Sequence, residues 1–75
     1  MKPSELRVMS DEQLNERLDE LREEWRQLRF DRAVGRLSNT RRIWQIRRDI
    51  ARIRTIQRER EIEAEVAAAL AESGN

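Results

Sequence analysis

Between Asn39 and Arg60 the chain reads NTRRIWQIRRDIARIRTIQRER, with eight arginines against only Asp49 and Glu59, for a net charge of +6. Guanidinium groups at this density can do one kind of chemistry well. They form paired, charge-assisted hydrogen bonds to phosphate. On a helical wheel at about 100° per residue, Arg41, Arg48 and Arg52 lie opposite Ile50, and Arg47 and Arg54 lie beside the isoleucine side. Arg42, Arg58 and Arg60 fall on the flanks. A basic back and basic edges with few acids match the spaced charge of a nucleic-acid backbone. A solvated charged face is the plain alternative, although such a face normally mixes both signs.

Carboxylates cluster at Asp19-Glu20 and Glu23-Glu24 and invite an acid–base reading. No histidine, cysteine or glycine-rich loop accompanies them. Two helices alone build no cavity that would desolvate such a pair. A solvated helix face explains them, and the chain is not expected to be an enzyme. Without cysteine or histidine, disulfides, the usual zinc sites and histidine-based nucleophile pairs are excluded. No cofactor or metal is implied, and no small-molecule substrate. Nothing approaches the run of apolar residues that a membrane span needs, and nothing resembles a signal peptide. A soluble intracellular protein is expected.

The elements that must position the arginines are helices. Ile43, Ile46, Ile50 and Ile53 follow a 3-4-3 spacing, which keeps them on one side of a helix from Thr40 to at least Arg60. Leu14, Leu18, Leu21, Trp25 and Leu28 follow a 4-3-4-3 spacing, a heptad seam for a helix over about 11–34. Ser10-Asp11-Glu12-Gln13 is a capping box that starts it, with Met9 and Leu14 placed for a hydrophobic staple, and Gly35 is a natural stop. The turn over 35–39 leaves Ser38 or Asn39 to cap the next helix and Leu37 to tuck beneath. So short a connection makes the two helices antiparallel neighbours. Pro3 suits the first turn of a short helix over about 3–9, which must dock on something larger.

The predicted fold is therefore all-α: one domain over 1–75, a long antiparallel α-hairpin, or two-helix coiled coil, with a short N-terminal helix. The net charge of +1 hides a sorted pattern, because residues 61–75 hold four glutamates and no base. Ile62, Val66 and Leu70 keep an i, i+4 stripe through this Ala/Glu tail, so the second helix can continue to 71, with Gly74 ending it. The tail faces solvent, repels RNA or meets a basic neighbour; solvent is the plain case.

The two tryptophans read differently. Trp25 lies on the leucine seam and belongs to the core before any stacking role. Trp44 lies about 120° from the seam centre, towards the basic face. It can stack on a base or ribose, fill a protein interface, or cover the loop end of the hairpin; contact with a partner is the reading preferred here. A basic-zipper DNA binder needs its basic region before the heptads on one continuous helix. Here the basic helix follows the leucine helix across Gly35, which argues against it.

Several stretches together resemble one family. Glu5-Leu6-Arg7 followed by Ser10, Leu28-Arg29-Phe30, and Gly35-x-Leu37 form the first part of the pattern. Asn39, Ile43, Arg47-Arg48 and Ile50-Ala51-Arg52-Ile53-x-Thr55 form the most specific part. From about Lys2 to Glu61 the chain resembles the bacterial family of large-subunit ribosomal protein twenty-nine. Two residues depart from the pattern: Trp25 replaces a smaller apolar residue, and Trp44 stands where a polar one is usual. The resemblance implies a structural constituent of the large ribosomal subunit, cytoplasmic and bacterial in type, acting in translation. It implies binding to large-subunit ribosomal RNA near the exit of the peptide tunnel, beside ribosomal protein twenty-three, where factors that meet nascent chains dock. It carries RNA contact to Arg29, Arg47, Arg48, Arg52 and Arg54; Arg36, Arg41 and Arg42 join them on charge alone. A coiled-coil protein–protein adaptor is the alternative of a different class.

Overall fold

Pro3 and Ser10 each begin a helix, for different physical reasons. The computed structural model describes residues 1–36 and 40–73. It contains α1 over Pro3–Arg7, α2 over Asp11–Ala33 and α3 over Thr40–Ser73. Proline at the start of α1 has no N–H to leave unpaired there. Ser10 caps α2 reciprocally: its Oγ accepts from the N–H of Gln13 at 3.2 Å, and its own N–H donates to Gln13 Oε1 at 2.9 Å. At the far end α2 stops where Gly35 takes φ +75°. The N–H of Arg36 donates to the Asp31 carbonyl at 2.7 Å, and that of Gly35 to the Arg32 carbonyl at 3.2 Å. This is the Schellman pair of bonds, which needs a left-handed residue and so favours glycine. The expected cap at Ser38 or Asn39, the place of Leu37 and the stop at Gly74 lie outside the described residues.

α2 and α3 run antiparallel, as the cross-links Asp11–Arg60, Asn15–Gln57 and Glu24–Arg42 require. The fold is an all-α hairpin with a short helix, α1, laid against α3. α3 has 34 residues, about 51 Å of helix at about 1.5 Å each, within a molecule of 63 × 21 × 17 Å. Its residues 61–73 pass beyond the hairpin and are all exposed. Their high helix propensity, continuing from a packed helix, carries them without a tertiary partner.

Leu6, Leu14, Leu18, Leu21, Ile46, Ile53 and Ile56 form the buried core. Met1, Met9, Trp25, Leu28 and Ile50 pack at its margin, and Ile43 is half-buried. The core is thick where α1 adds Leu6 and thins towards the turn, where Phe30, Val34 and Trp44 are exposed. The buried line on α3 is Ile46, Asp49, Ile53 and Ile56, whereas the sequence spacing put it along Ile43, Ile46, Ile50 and Ile53. The shift has a cause. α1 covers one flank of the helix pair and draws residues 49 and 56 under it, while the other flank stays open beside 43 and 50. Asp49 is tolerated in that line because the Met1 ammonium donates to its Oδ1 at 3.3 Å, and a buried charge needs such a partner. Among the described residues no buried side-chain polar atom lacks a hydrogen-bond partner.

Candidate nucleic-acid interface

An arginine can grip a phosphate only if its guanidinium is not already held by the protein. The hairpin divides its arginines on this point. Arg42 makes a bidentate bond to Glu24, Nε to Oε2 at 2.5 Å and Nη2 to Oε1 at 3.0 Å. That guanidinium holds the Glu24 carboxyl below the usual carboxylate range, chiefly by direct hydrogen bonding and against a smaller opposing effect of burial. Glu24 raises Arg42 in return, by the same bond. Arg52 Nη1 donates to the Met1 carbonyl at 2.6 Å and lies 4.0 Å from Asp49. Arg60 joins three pieces of chain: Nη1 donates to Asp11 Oδ1 at 2.7 Å, and Nη2 to the Met9 and Arg7 carbonyls at 2.8 and 3.2 Å. It thereby pins the α1–α2 junction onto α3 and satisfies a carbonyl at the end of α1.

The opposite flank is different. A groove of about 540 Å³ runs between α2 and α3, walled by Arg22, Arg26 and Arg29 on one side and Arg47 and Arg54 on the other. Trp25, Ile50 and Ala51 complete its lining. Towards the turn it adjoins a second groove of about 730 Å³, which shares Trp25, Arg29 and Arg47 and adds Arg32, Thr40 and Trp44. Among the described residues no carboxylate lines either one. Among the described residues, Arg22, Arg29, Arg47 and Arg54 have no carboxylate within 4.0 Å. Arg26 pairs with Glu23 at 2.8 Å, but both side chains are more than two-thirds exposed, and such a pair yields readily. Arg47 lies over two indoles, its guanidinium carbon 5.7 Å from the ring centre of Trp25 and 5.5 Å from that of Trp44. These are cation–π distances, and they limit where Arg47 can point.

The structure thus brings Arg29, Arg47 and Arg54 together in one carboxylate-free groove. Arg36 and Arg41 are exposed at the turn end. Arg48 lies with Arg7 and Arg52 along the junction of α1 and α3, away from that groove. Arg42 and Arg52, counted with the others on the helical wheel, are bonded within the protein. Arg52 was placed on an outward-facing back, and the Met1 carbonyl beside α1 meets it there. Arg22, Arg26 and Arg32 on the leucine helix are not among the sequence-derived contacts. The signal was present, since 22, 26 and 29 keep a 4-3 spacing on one side of α2. Ile56 was missed from the core too, although it lies three residues beyond Ile53.

Such a surface can clamp an anionic polymer by charge and shape. Among the described residues no group of three acidic side chains is placed to hold a metal ion, and no helix is long and apolar enough to cross a membrane. The sequence profile described as Ribosomal L29 protein matches residues 4–60. The large ribosomal subunit protein uL29 of Natranaerobius thermophilus is 50% identical over 62 residues, covering 83% of this chain and 95% of that protein. The protein of the same name from Mycobacterium tuberculosis is 53% identical over 60 residues, covering 80% of this chain and 78% of its own length. The profile match spans α1, α2 and the packed part of α3, and stops where the projecting segment begins.

Proposed function

The chain belongs to the Ribosomal L29 protein family, and from that premise we propose that it binds large-subunit ribosomal RNA through the open flank of its hairpin. As a member of that family it is a structural component of the large ribosomal subunit and not an enzyme, working in the cytoplasmic ribosome as its bacterial relatives do. The observation that carries the RNA proposal is the groove between α2 and α3, walled among the described residues by five arginines and by no carboxylate. Each guanidinium that pairs with a phosphate releases counterions, so binding gains free energy without any base being read. Double-stranded RNA is recognised mostly in this way, by backbone and shape.

Arg29, Arg47 and Arg54 are the central contacts, joined by Arg22, with Arg36, Arg41 and Arg48 extending the basic surface. Arg42 and Arg52 instead hold the fold, because reaching a phosphate would break their bonds to Glu24 and to the Met1 carbonyl. The place in the subunit follows the family resemblance: near the peptide tunnel exit, beside ribosomal protein twenty-three, where nascent-chain factors dock. A coiled-coil adaptor would need its seam for a partner chain. Leu14, Leu18, Leu21, Ile46 and Ile53 are buried against one another within this chain instead.

The test compares the native protein with the double variant Arg29→Glu, Arg54→Glu for binding to large-subunit ribosomal RNA across a salt series. Native affinity should fall by about 0.7–0.9 log units per contacted phosphate for each log unit of salt. The variant should bind on the order of 100-fold more weakly and fail to sediment with reconstituted large subunits. Salt-independent association, or normal incorporation of the variant, would overturn the proposal.

A further inference from the structure

Trp44 is 63% exposed, on a part of the hairpin where the aliphatic core has run out. A tryptophan this open adds little to the core, yet it is not loose. The guanidinium carbon of Arg47 lies over its ring, 5.5 Å from the centre, and also over the ring of half-buried Trp25, at 5.7 Å. The cluster Trp25–Arg47–Trp44 fixes an indole at the rim of the 730 Å³ groove whose other charged walls are Arg29 and Arg32. A flat aromatic surface beside several cations suits a ligand that is both planar and anionic. An acidic protein segment would satisfy the arginines and leave the indole without a planar partner. A nucleotide satisfies both. Paired bases in a duplex present only their edges, so the ligand is a nucleotide whose base is unpaired.

We infer that Trp44 is a stacking platform for an unpaired base of RNA, with Arg29 and Arg32 holding the phosphates on either side. The inference rests on the RNA-binding function proposed above and adds to it a single-stranded element, a bulge, loop or end, at the turn of the hairpin. Stacking tolerates any base, so the platform selects RNA structure and not sequence.

The test titrates the full chain with three probes: a short single-stranded oligoadenylate, an abasic oligomer of equal length and charge, and a polyglutamate of equal charge. Oligoadenylate should quench tryptophan emission in the native protein. Most of that quenching should vanish in Trp44→Phe, because the remaining Trp25 is covered by Arg47. Trp44→Ala should weaken oligoadenylate binding about five- to 150-fold and leave abasic binding within about twofold. Trp44→Phe should restore most of the affinity. Equal weakening of both oligomers by Trp44→Ala, or no emission change at saturation, overturns the platform and leaves backbone binding standing. Binding of neither oligomer overturns both proposals. Polyglutamate binding as tight as oligoadenylate, and as dependent on Trp44, assigns the groove to an acidic protein and overturns the platform. Helical circular dichroism of each variant checks folding, which an exposed side chain should not disturb.

Discussion

Arg42 is tied to Glu24 of α2, and beside α1 Arg52 is tied to the Met1 carbonyl while Arg60 bonds the chain at the α1–α2 junction. On the open flank, Arg22, Arg29, Arg47 and Arg54 meet no carboxylate among the described residues. The residue type is the same on both, and the neighbours differ. Where α1 lies down it brings carbonyls and shelter from water, and a sheltered guanidinium must find partners inside the protein. Where nothing lies down, the arginines keep their water, which a phosphate can replace. The tied arginines hold the helices in place, and the untied ones are thereby kept at a fixed spacing. Counting basic residues along α3 therefore overstates the number of untied guanidinium groups there, and ignoring those on α2 leaves out one wall of the groove.

The comparison can be broken most severely through the core. Ile53 is fully buried on the line beneath α1. Ile53→Ala should cost about 2–5 kcal/mol, read as a lower midpoint in urea. Ile43, half-buried on the open side, should cost clearly less when cut to alanine. Equal losses would show that the core does not thin towards the turn. A smaller effect separates the two kinds of arginine. Arg42→Ala should lower thermal stability by about 0.2–1 kcal/mol, whereas Arg54→Ala should change it by no more than about 0.5 kcal/mol and reduce the salt slope of RNA binding by about one phosphate. The opposite assignment in either assay would erase the distinction between the flanks.

The smallest effect is a pH dependence. Glu24 titrates below its ordinary value in the folded protein because Arg42 bonds its charged form. Its contribution to stability is complete above the unfolded carboxyl value near about 4.3. It is lost as pH falls through the lowered folded value. The melting-temperature gap between native protein and Glu24→Gln should therefore be larger near about pH 7 than near about pH 3. A gap that widens in acid would show that the pair does not bind as described.

Much of the hairpin was legible because its signals are local. Ser10 and Gln13 lie three residues apart and bond each other whatever else folds. At Gly35 α2 ends through bonds within its last turn, from the N–H of Gly35 to the Arg32 carbonyl and from that of Arg36 to the Asp31 carbonyl. The candidate site was half legible. Arg47 and Arg54 stood out by spacing and by resemblance and Arg29 by resemblance, but Arg42 could not be told from them, since Glu24 lies eighteen residues away in sequence. Arg22 and Arg26 stand among acids in the sequence, and only the placing of α3 beside them makes them walls of the groove.

The sequence by itself determined the three helices' character, the apolar seams that join two of them, and the concentration of guanidinium groups on the second long one. Each depends on residues within a turn or two of one another, and a helix has one geometry. Only the tertiary structure decided which arginines are available. A helical wheel gives angles about one axis and cannot say where a neighbour lies. For Arg42 it was settled by Glu24 of α2, and for Arg52 and Arg60 by where α1 docks, through Leu6 in the core and the bonds of Met1 with Asp49 and Arg52. Met1 and those two partners are about fifty residues apart, and no local preference relates them.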